Sequence, residues 1–305
     1  MITTLTAMGG SLAPRRLWRS AIVAVLVILL AGCSAVRLGY GNGPQLLWWW
    51  LDGYLDFPAP QVPAVKASID RWFDWHRSTQ LPDYVAWLAS LRAQAGDDQT
   101  AAQFCRWNTE LRARLEPSID RALLLGADLL PGLGEAQFRH LEQRYGKNLD
   151  EMRAEYLQPD PAERRSASVK RAIDRVEQIY GRLGEAQRKV IADGVATSPF
   201  DPQAWMEERQ RRQRDTVLTL RRLAADKAER DARLAALRVL VERSERSPDP
   251  AYRDYQRRLV EYNCDFAARI HNATTPAQRQ KARETLKGWE DDLRALLASA
   301  NASSP

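Results

Sequence analysis

Histidine and cysteine are the side chains that most often hold metals or move protons, and this chain of 305 residues has only three of each. His76, His140 and His271 lie 64 and 131 residues apart. None stands in a His-x-x-x-His, His-Glu-x-x-His or Cys-x-x-Cys spacing, so no metal site and no cofactor is expected. His76 closes the segment Arg71-Trp72-Phe73-Asp74-Trp75-His76-Arg77 and is the one candidate general base. Its nearest acid is Asp74, but residues two apart on a helix point to different faces. Trp72 and Trp75, with Trp87 and Trp107, have the size to fill gaps between helices. Gly-rich phosphate loops and Gly-x-Ser-x-Gly turns are missing, and no catalytic residue is assigned.

The arginines offer a second kind of chemistry. Arg209, Arg211, Arg212, Arg214, Arg221 and Arg222 are interrupted by a single acid, Asp215, giving a local charge of +5. The guanidinium fork matches carboxylates and phosphates, so Arg211, Arg212 and Arg214 are candidates for an anionic envelope partner, lipid or protein. On that reading, changing the three to Gln weakens partner binding and leaves stability nearly untouched. The plainer reading is a solvated helix face with i, i+4 pairs, each worth ~0.2–0.5 kcal/mol. The whole chain has 45 Lys and Arg against 39 Asp and Glu, net +6, and three of the bases (Arg15, Arg16, Arg19) fall in the first 32 residues. Without them +3 remains, which makes no electrostatic case for nucleic acid. With 45% hydrophobic and 28% charged residues the chain is no disordered polymer either.

The N-terminus reads as an address. After the three arginines comes the uncharged run Ala21 to Ala31, eleven residues where a spanning helix needs ~20. Leu30-Ala31-Gly32-Cys33 resembles the lipobox of bacterial lipoproteins. The resemblance implies that residues 1–32 are a cleaved signal peptide and that Cys33 becomes the diacylated first residue, tying the protein to a membrane. Met8 competes with Met1 as the start. Ser34, where Asp would retain such a protein elsewhere, points by the same resemblance to the periplasmic side of the outer membrane. Residues 33–44, with Gly39, Gly41, Gly43 and Pro44, are expected as a polar tether reaching at most ~40 Å. With Cys33 acylated, Cys105 and Cys264 form an even pair in an oxidising compartment. One disulfide is the favoured outcome, two reduced thiols the alternative.

Beyond Pro44 the text is helical: Ala, Leu, Arg, Glu and Gln dominate, and no stretch alternates as a strand does. Val169, Ile173, Val176, Tyr180 and Leu183 recur at steps of four and three, one face of a helix. Asp160-Pro161, Asp201-Pro202 and Asp249-Pro250 put a capping carboxylate before a proline, and Thr275-Pro276-Ala277-Gln278 is a capping box. These signals predict an all-α, single elongated or bundled domain over 45–300, followed by a short tail at 301–305. Its helices are expected near 44–56, 60–78, 81–95, 98–130, 134–157, 161–182, 184–196, 202–245, 250–272 and 276–300, joined by short loops. Trp48, Trp49 and Trp50 stand ~100° apart around their helix and cannot share one apolar seam. At least one must meet another helix, the bilayer interface or a partner.

Two resemblances complete the reading. Leu133-Gly134-Glu135-Ala136-Gln137 returns identically as Leu183 to Gln187, with Thr274 to Gln278 a looser third copy. This echo resembles the Leu-Thr-x-x-Gln motif of small periplasmic helical chaperones and stress sensors, although Gly replaces Thr in both exact copies; three helix N-termini are the plainer explanation. The lipobox, Trp48 to Tyr54, Trp75-His76-Arg77, Tyr180 to Leu183 and His271 to Leu293 together look like an uncharacterised family of proteobacterial lipoproteins. That family implies an anchored helical protein and brings no activity or catalytic residue. The expectation is a non-enzymatic helical scaffold or binding protein for a protein, peptide or anionic envelope partner. An envelope enzyme using His76, and a structural spacer, are the alternatives.

Overall fold

The computed structural model describes residues 35–302, and among them the regular structure is entirely helical, with twelve α-helices and no strand. In chain order these are α1 (Ala35–Gly41), α2 (Gly43–Leu55), α3 (Val62–Thr79), α4 (Leu81–Gln94), α5 (Ala101–Leu129), α6 (Glu135–Tyr156), α7 (Pro161–Tyr180), α8 (Glu185–Thr197), α9 (Pro202–Ala225), α10 (Arg230–Glu245), α11 (Pro250–Asn272) and α12 (Pro276–Ala302). A 3-10 turn, Leu130–Gly132, follows α5. None of these helices is long and apolar enough to cross a membrane.

The helices start where short polar side chains can hold orphan N–H groups. Asp160, Asp201 and Asp249 accept from the backbone N–H two residues on at 2.8–2.9 Å, each followed by the expected proline. Gln137, Gln187 and Gln278 reach back to the cap N–H of Gly134, Gly184 and Thr275 at 3.0, 2.9 and 2.9 Å. Only Thr275 has a side chain to return the bond, which it does at 3.3 Å. The glutamine N–H groups then pair helix starts far apart in sequence. Gln187 donates to Gln278 at 2.5 Å and to the Ala273 carbonyl at 2.9 Å; Gln278 donates to Gln187 and to the Arg182 carbonyl, both at 2.9 Å. Ala273 and Arg182 each lie two residues before their cap, so the pair is related by a local two-fold. Gln137 repeats the arrangement with Gln61, donating at 3.0 Å while Gln61 donates to the Gly132 carbonyl.

Packing follows two long helices. α12 lies along α4 and also meets α1, α3 and α7; α5 meets α11 at one end and α3 and α10 towards the other. Between α4 and α12 the carboxylate of Glu290, 1% exposed, is held by Arg92 at 3.0 Å and by Arg294. Cys105 of α5 and Cys264 of α11 are joined by a disulfide, 159 residues apart in sequence. The helix α8 comes so close to α11 that a Cβ on Gly194 would overlap the Phe266 ring, and only glycine fits there.

Two expectations change. The segment expected as one helix over 202–245 is broken at Asp226–Glu229, where Lys227 takes φ 46°. No Pro or Gly marks the break. It is held from outside, by Asp128 of α5 on Arg230 at 2.6 Å and by the Ala127 carbonyl accepting from Arg233 at 2.8 Å. The stretch expected as a polar tether over 33–44 contains α1, which packs on α12 with Arg37 3.0 Å from Asp292. Cys33 lies outside the described residues.

The disulfide closes so long a loop that the chain-entropy model assigns it about 5 kcal/mol, commonly reduced to 2–5 in practice. Urea unfolding with and without reductant should show a stability loss in that range. Equal midpoints, or a Cys105→Ala/Cys264→Ala chain as stable as the parent, would contradict a supporting role for the bridge.

Candidate functional site

His76 sits in an aromatic box at the α3–α4 junction. Its ring stacks on Trp72 at 4.6 Å, meets Tyr84 edge-on at 5.5 Å, and its Nδ1 shares a hydrogen bond of 2.9 Å with the Tyr40 hydroxyl. The residue is 8% exposed, and burial pushes its pKa down to about 4. Trp72 and Tyr84 also hydrogen-bond the α5 backbone, at Ser118 O (3.0 Å) and Arg114 O (3.3 Å). The box therefore joins α1, α3, α4 and α5, and no carboxylate ion-pairs with the histidine. His271 repeats the scheme: Tyr180 OH meets Nδ1 at 2.8 Å and the Asp97 carbonyl meets Nε2 at 2.7 Å. His140 is half-buried, its Nε2 3.2 Å from the Gly53 carbonyl. Among the described residues no three His, Cys, Asp or Glu side chains gather as a metal site.

The arginine run on α9 does not form one face. Arg211 and Arg212 both clamp Glu208, at 2.7 and 2.9 Å, and the Glu208 side chain is only 5% exposed. Burial alone would raise its pKa, but these two donors hold it below the ordinary value. Arg211 also reaches Asp215 and the Arg243 carbonyl. Arg221 turns the other way and takes Glu135 and Glu142 of α6 at 2.9 and 3.1 Å. Arg214 and Arg222 stay exposed. The reason is register: three- and four-residue steps place Glu208 and Asp215 of α9 under Arg211 and Arg212, and α6 brings its own acids to Arg221.

What the sequence reading missed is a cavity. Its walls come from Leu47, Trp50 and Leu51 of α2, Val65 and Ile69 of α3, and, across the gap, Leu123 and Leu129 of α5. Leu220 and Leu237 of α9 and α10 add to it, and the volume is about 520 Å³. Ser68 is the sole polar side chain in the wall, and its hydroxyl is already engaged with the Ala64 carbonyl and Arg71. Gly126 of α5 faces open space, since a Cβ built on it meets nothing within 4 Å. One core cluster (Trp48, Val65, Ile69, Phe73) lies on one side and another (Ala127, Leu234, Leu237) on the other. Trp50, Leu51, Leu55 and Leu220 also wall a second pocket of about 420 Å³, largely apolar but containing Arg209, Gln213, Tyr54 and Tyr145. There the Arg209 Nε and Gln213 Oε1 atoms are buried without a hydrogen-bond partner. Of the tryptophan triplet, Trp48 enters the core while Trp49 and Trp50 are 61% and 57% exposed, Trp50 beside the cavity. The signal available in sequence was Gly126 inside an otherwise strong helix, where it costs ~1 kcal/mol against Ala.

Fold and cavity define an all-α, multi-helix protein with an apolar pocket that shares Trp50, Leu51, Leu55 and Leu220 with a second, mixed one. The family of unknown function DUF6279 matches residues 53–253, more than half of the chain, and the protein belongs to that family. Trp75-His76-Arg77 and Tyr180 to Leu183 lie inside the matched region, whereas Trp48 to Asp52 and His271 to Leu293 lie outside it. No curated protein and no solved structure matches the chain.

The histidine box has a pH signature. A histidine kept neutral in the fold at pH values where the unfolded chain binds a proton loses stability as pH falls. With His76 at about 4 when folded and 6.5 when free, the loss begins near 6.5 and ends near 4; it is absent above 6.5. His271, also lowered by burial, adds in the same direction. Unfolding free energy measured between pH 6.5 and 4.5 should fall in the parent and fall less steeply in His76→Gln. Identical slopes would show that His76 is protonated in the fold.

Because Arg211 and Arg212 neutralise a buried carboxylate, the geometry replaces the expectation that the arginine triplet can be changed at no cost. Arg211→Gln/Arg212→Gln should lose on the order of 3 kcal/mol in urea unfolding. Arg214→Gln should stay within about 0.5 kcal/mol. Equal effects of the two changes would mean that Glu208 finds other partners.

Proposed function

We infer that this protein is a lipid-anchored helical binding protein of the bacterial envelope, held at the periplasmic face of the outer membrane through Cys33, whose ligand carries an acyl chain. The observation that carries the reading is the 520 Å³ chamber and its almost unbroken apolar wall. That volume is within the range of small-molecule sites, ~300–1,000 Å³. Water gains nothing there, because apolar cavities offer it no hydrogen bonds. A chain of ten methylene groups would gain about 8 kcal/mol gross on entry, before the costs of ordering and immobilisation. Exposed Trp49 and Trp50 suit an aqueous–lipid boundary, and Trp50 stands where a chain would pass from one to the other. The lipobox-like Leu30-Ala31-Gly32-Cys33 supplies the anchor that keeps the chamber near acyl chains. No chemical step is assigned.

One labelling experiment tests both parts. Cells fed a photoactivatable fatty acid should yield a covalently acylated protein, and ultraviolet light should add a crosslink mapping to the α3 and α5 peptides. Cys33→Ala should abolish the first. Gly126→Leu, which fills the chamber and removes a helix-weakening glycine, should abolish the second without lowering the melting temperature. Crosslinks unchanged by Gly126→Leu would end the chamber reading, and acylation surviving Cys33→Ala would end the anchor.

A further inference from the structure

The basic surface that stands out in the fold is on α7, not on α9. Arg164, Ser168, Arg171 and Arg175 follow at steps of four, three and four and so form one stripe, with Arg165 beside it. Arg165 and Arg175 are exposed, while Arg164, Ser168 and Arg171 are half-buried. The stripe forms one wall of an open cleft of about 650 Å³, whose opposite wall is built by Phe200 and Trp205 at the start of α9 and by Phe266 of α11.

Charge is not compensated inside this cleft. No Asp or Glu lines it. Among the described residues Arg164, Arg165 and Arg175 have no carboxylate within 4.0 Å, and Arg171 has one, Glu155, at 3.9 Å. The nearest acids in sequence are Glu163 and Asp174; neither lines the cleft, and Asp174 pairs with Lys170 at 2.6 Å, while Asp160 and Asp201 cap the N–H groups of Ala162, Gln203 and Ala204. Arg171 is fixed in place: its guanidinium lies 4.4 Å over the Tyr156 ring and donates to Ser168 Oγ at 3.0 Å and to the Glu155 carbonyl at 3.2 Å. α9, by contrast, has an acid under Arg211, Arg212 and Arg221. Like charges gathered in one cleft repel unless a counter-anion sits between them.

We propose that the α7 cleft is a binding site for a ligand bearing at least two phosphate groups. Planar guanidinium forks bond phosphate oxygens bidentately, and each phosphate brings up to two negative charges, so two of them balance four arginines. From Arg164 to Arg175 the backbone of the stripe spans roughly 17 Å at ~1.5 Å per residue, room for two separate phosphate groups, and the long arginine side chains can also converge on two phosphates joined as pyrophosphate. The apolar rings opposite can cover whatever carries them. The site stands independently of the acyl chamber and would remain if that chamber proved empty.

The test is calorimetric titration of inorganic pyrophosphate into the full chain in uncharged detergent, with citrate as the carboxylate control. Pyrophosphate should bind with one-to-one stoichiometry, more weakly as salt rises. Arg164→Gln/Arg175→Gln should weaken binding tenfold or more. Because these arginines have no ion-pair partner, the ligand-free melting temperature should be unchanged or higher. Arg214→Gln/Arg222→Gln, which removes the same charge from α9, should leave binding as it was. A parallel flotation assay with phosphatidylcholine vesicles, with and without cardiolipin, a lipid that carries two phosphates, separates the sources. Binding to the doped vesicles that Arg164→Gln/Arg175→Gln abolishes supports the site with a lipid headgroup as the phosphate donor; pyrophosphate binding alone supports it with a soluble one. Citrate binding as tightly as pyrophosphate, equal loss in both double variants, or no binding of either probe would overturn the proposal.

Discussion

A carboxylate taken out of water costs several kcal/mol unless it is paired, and every helix start leaves N–H groups that need acceptors. In a chain with 28% charged residues and twelve described helices, that constraint governs which helices can meet. Glu290 can be buried between α4 and α12 only because Arg92 comes from one helix and Arg294 from the other. Glu208 can be buried on α9 only under Arg211 and Arg212. Gln187 and Gln278 satisfy two helix starts with each other's amides and so tie α8 to α12 across 91 residues. His76 and His271 each meet a tyrosine hydroxyl and become corner pieces rather than reactive groups. Such contacts are directional, and they set helix ends and angles where apolar stripes alone would allow sliding.

The hydrophobic core takes what space that framework leaves. Its two clusters, one around Val65 and Ile69 and one around Ala127 and Leu237, face each other across α5 without closing. An open pocket of about 520 Å³ with so apolar a wall leaves hydrophobic surface uncovered, which soluble proteins ordinarily limit. Gly126 keeps it open from one side, where an ordinary helix former would partly fill it. Both the weak helix position and the missing contacts lower stability, a loss that the proposed binding of an apolar ligand would offset.

Two helices of similar composition behave differently for the same reason. α9 and α7 are both arginine-rich, and only the surroundings tell them apart. Around α9 the register brings Glu208 and Asp215 under the forks, α6 brings Glu135 and Glu142, and the arginines become structural. Along α7 the facing elements are Phe200, Trp205 and Phe266, which can bound a cleft but not neutralise it. Counting charges along the chain therefore pointed to the helix whose charges are satisfied.

The amino-acid sequence by itself determined the helical class and the helix starts at Asp160, Asp201, Asp249 and Thr275, because these depend on neighbours within four residues. It left Cys105 and Cys264 as a bridge or as two thiols, and the fold brings them together as a disulfide. Tertiary structure alone decided the break at Asp226–Glu229, which rests on Asp128 and the Ala127 carbonyl about a hundred residues earlier. It likewise turned the stretch before Pro44 into a helix docked through Arg37 and Asp292. It placed His76 against Tyr40, divided the tryptophan triplet between core and surface, and opened the chamber and the arginine cleft. Local pattern fixes which way a backbone turns because those bonds close within a helical turn. A cavity or an uncompensated charge is a property of what several distant helices fail to bring together, and no single segment carries that information.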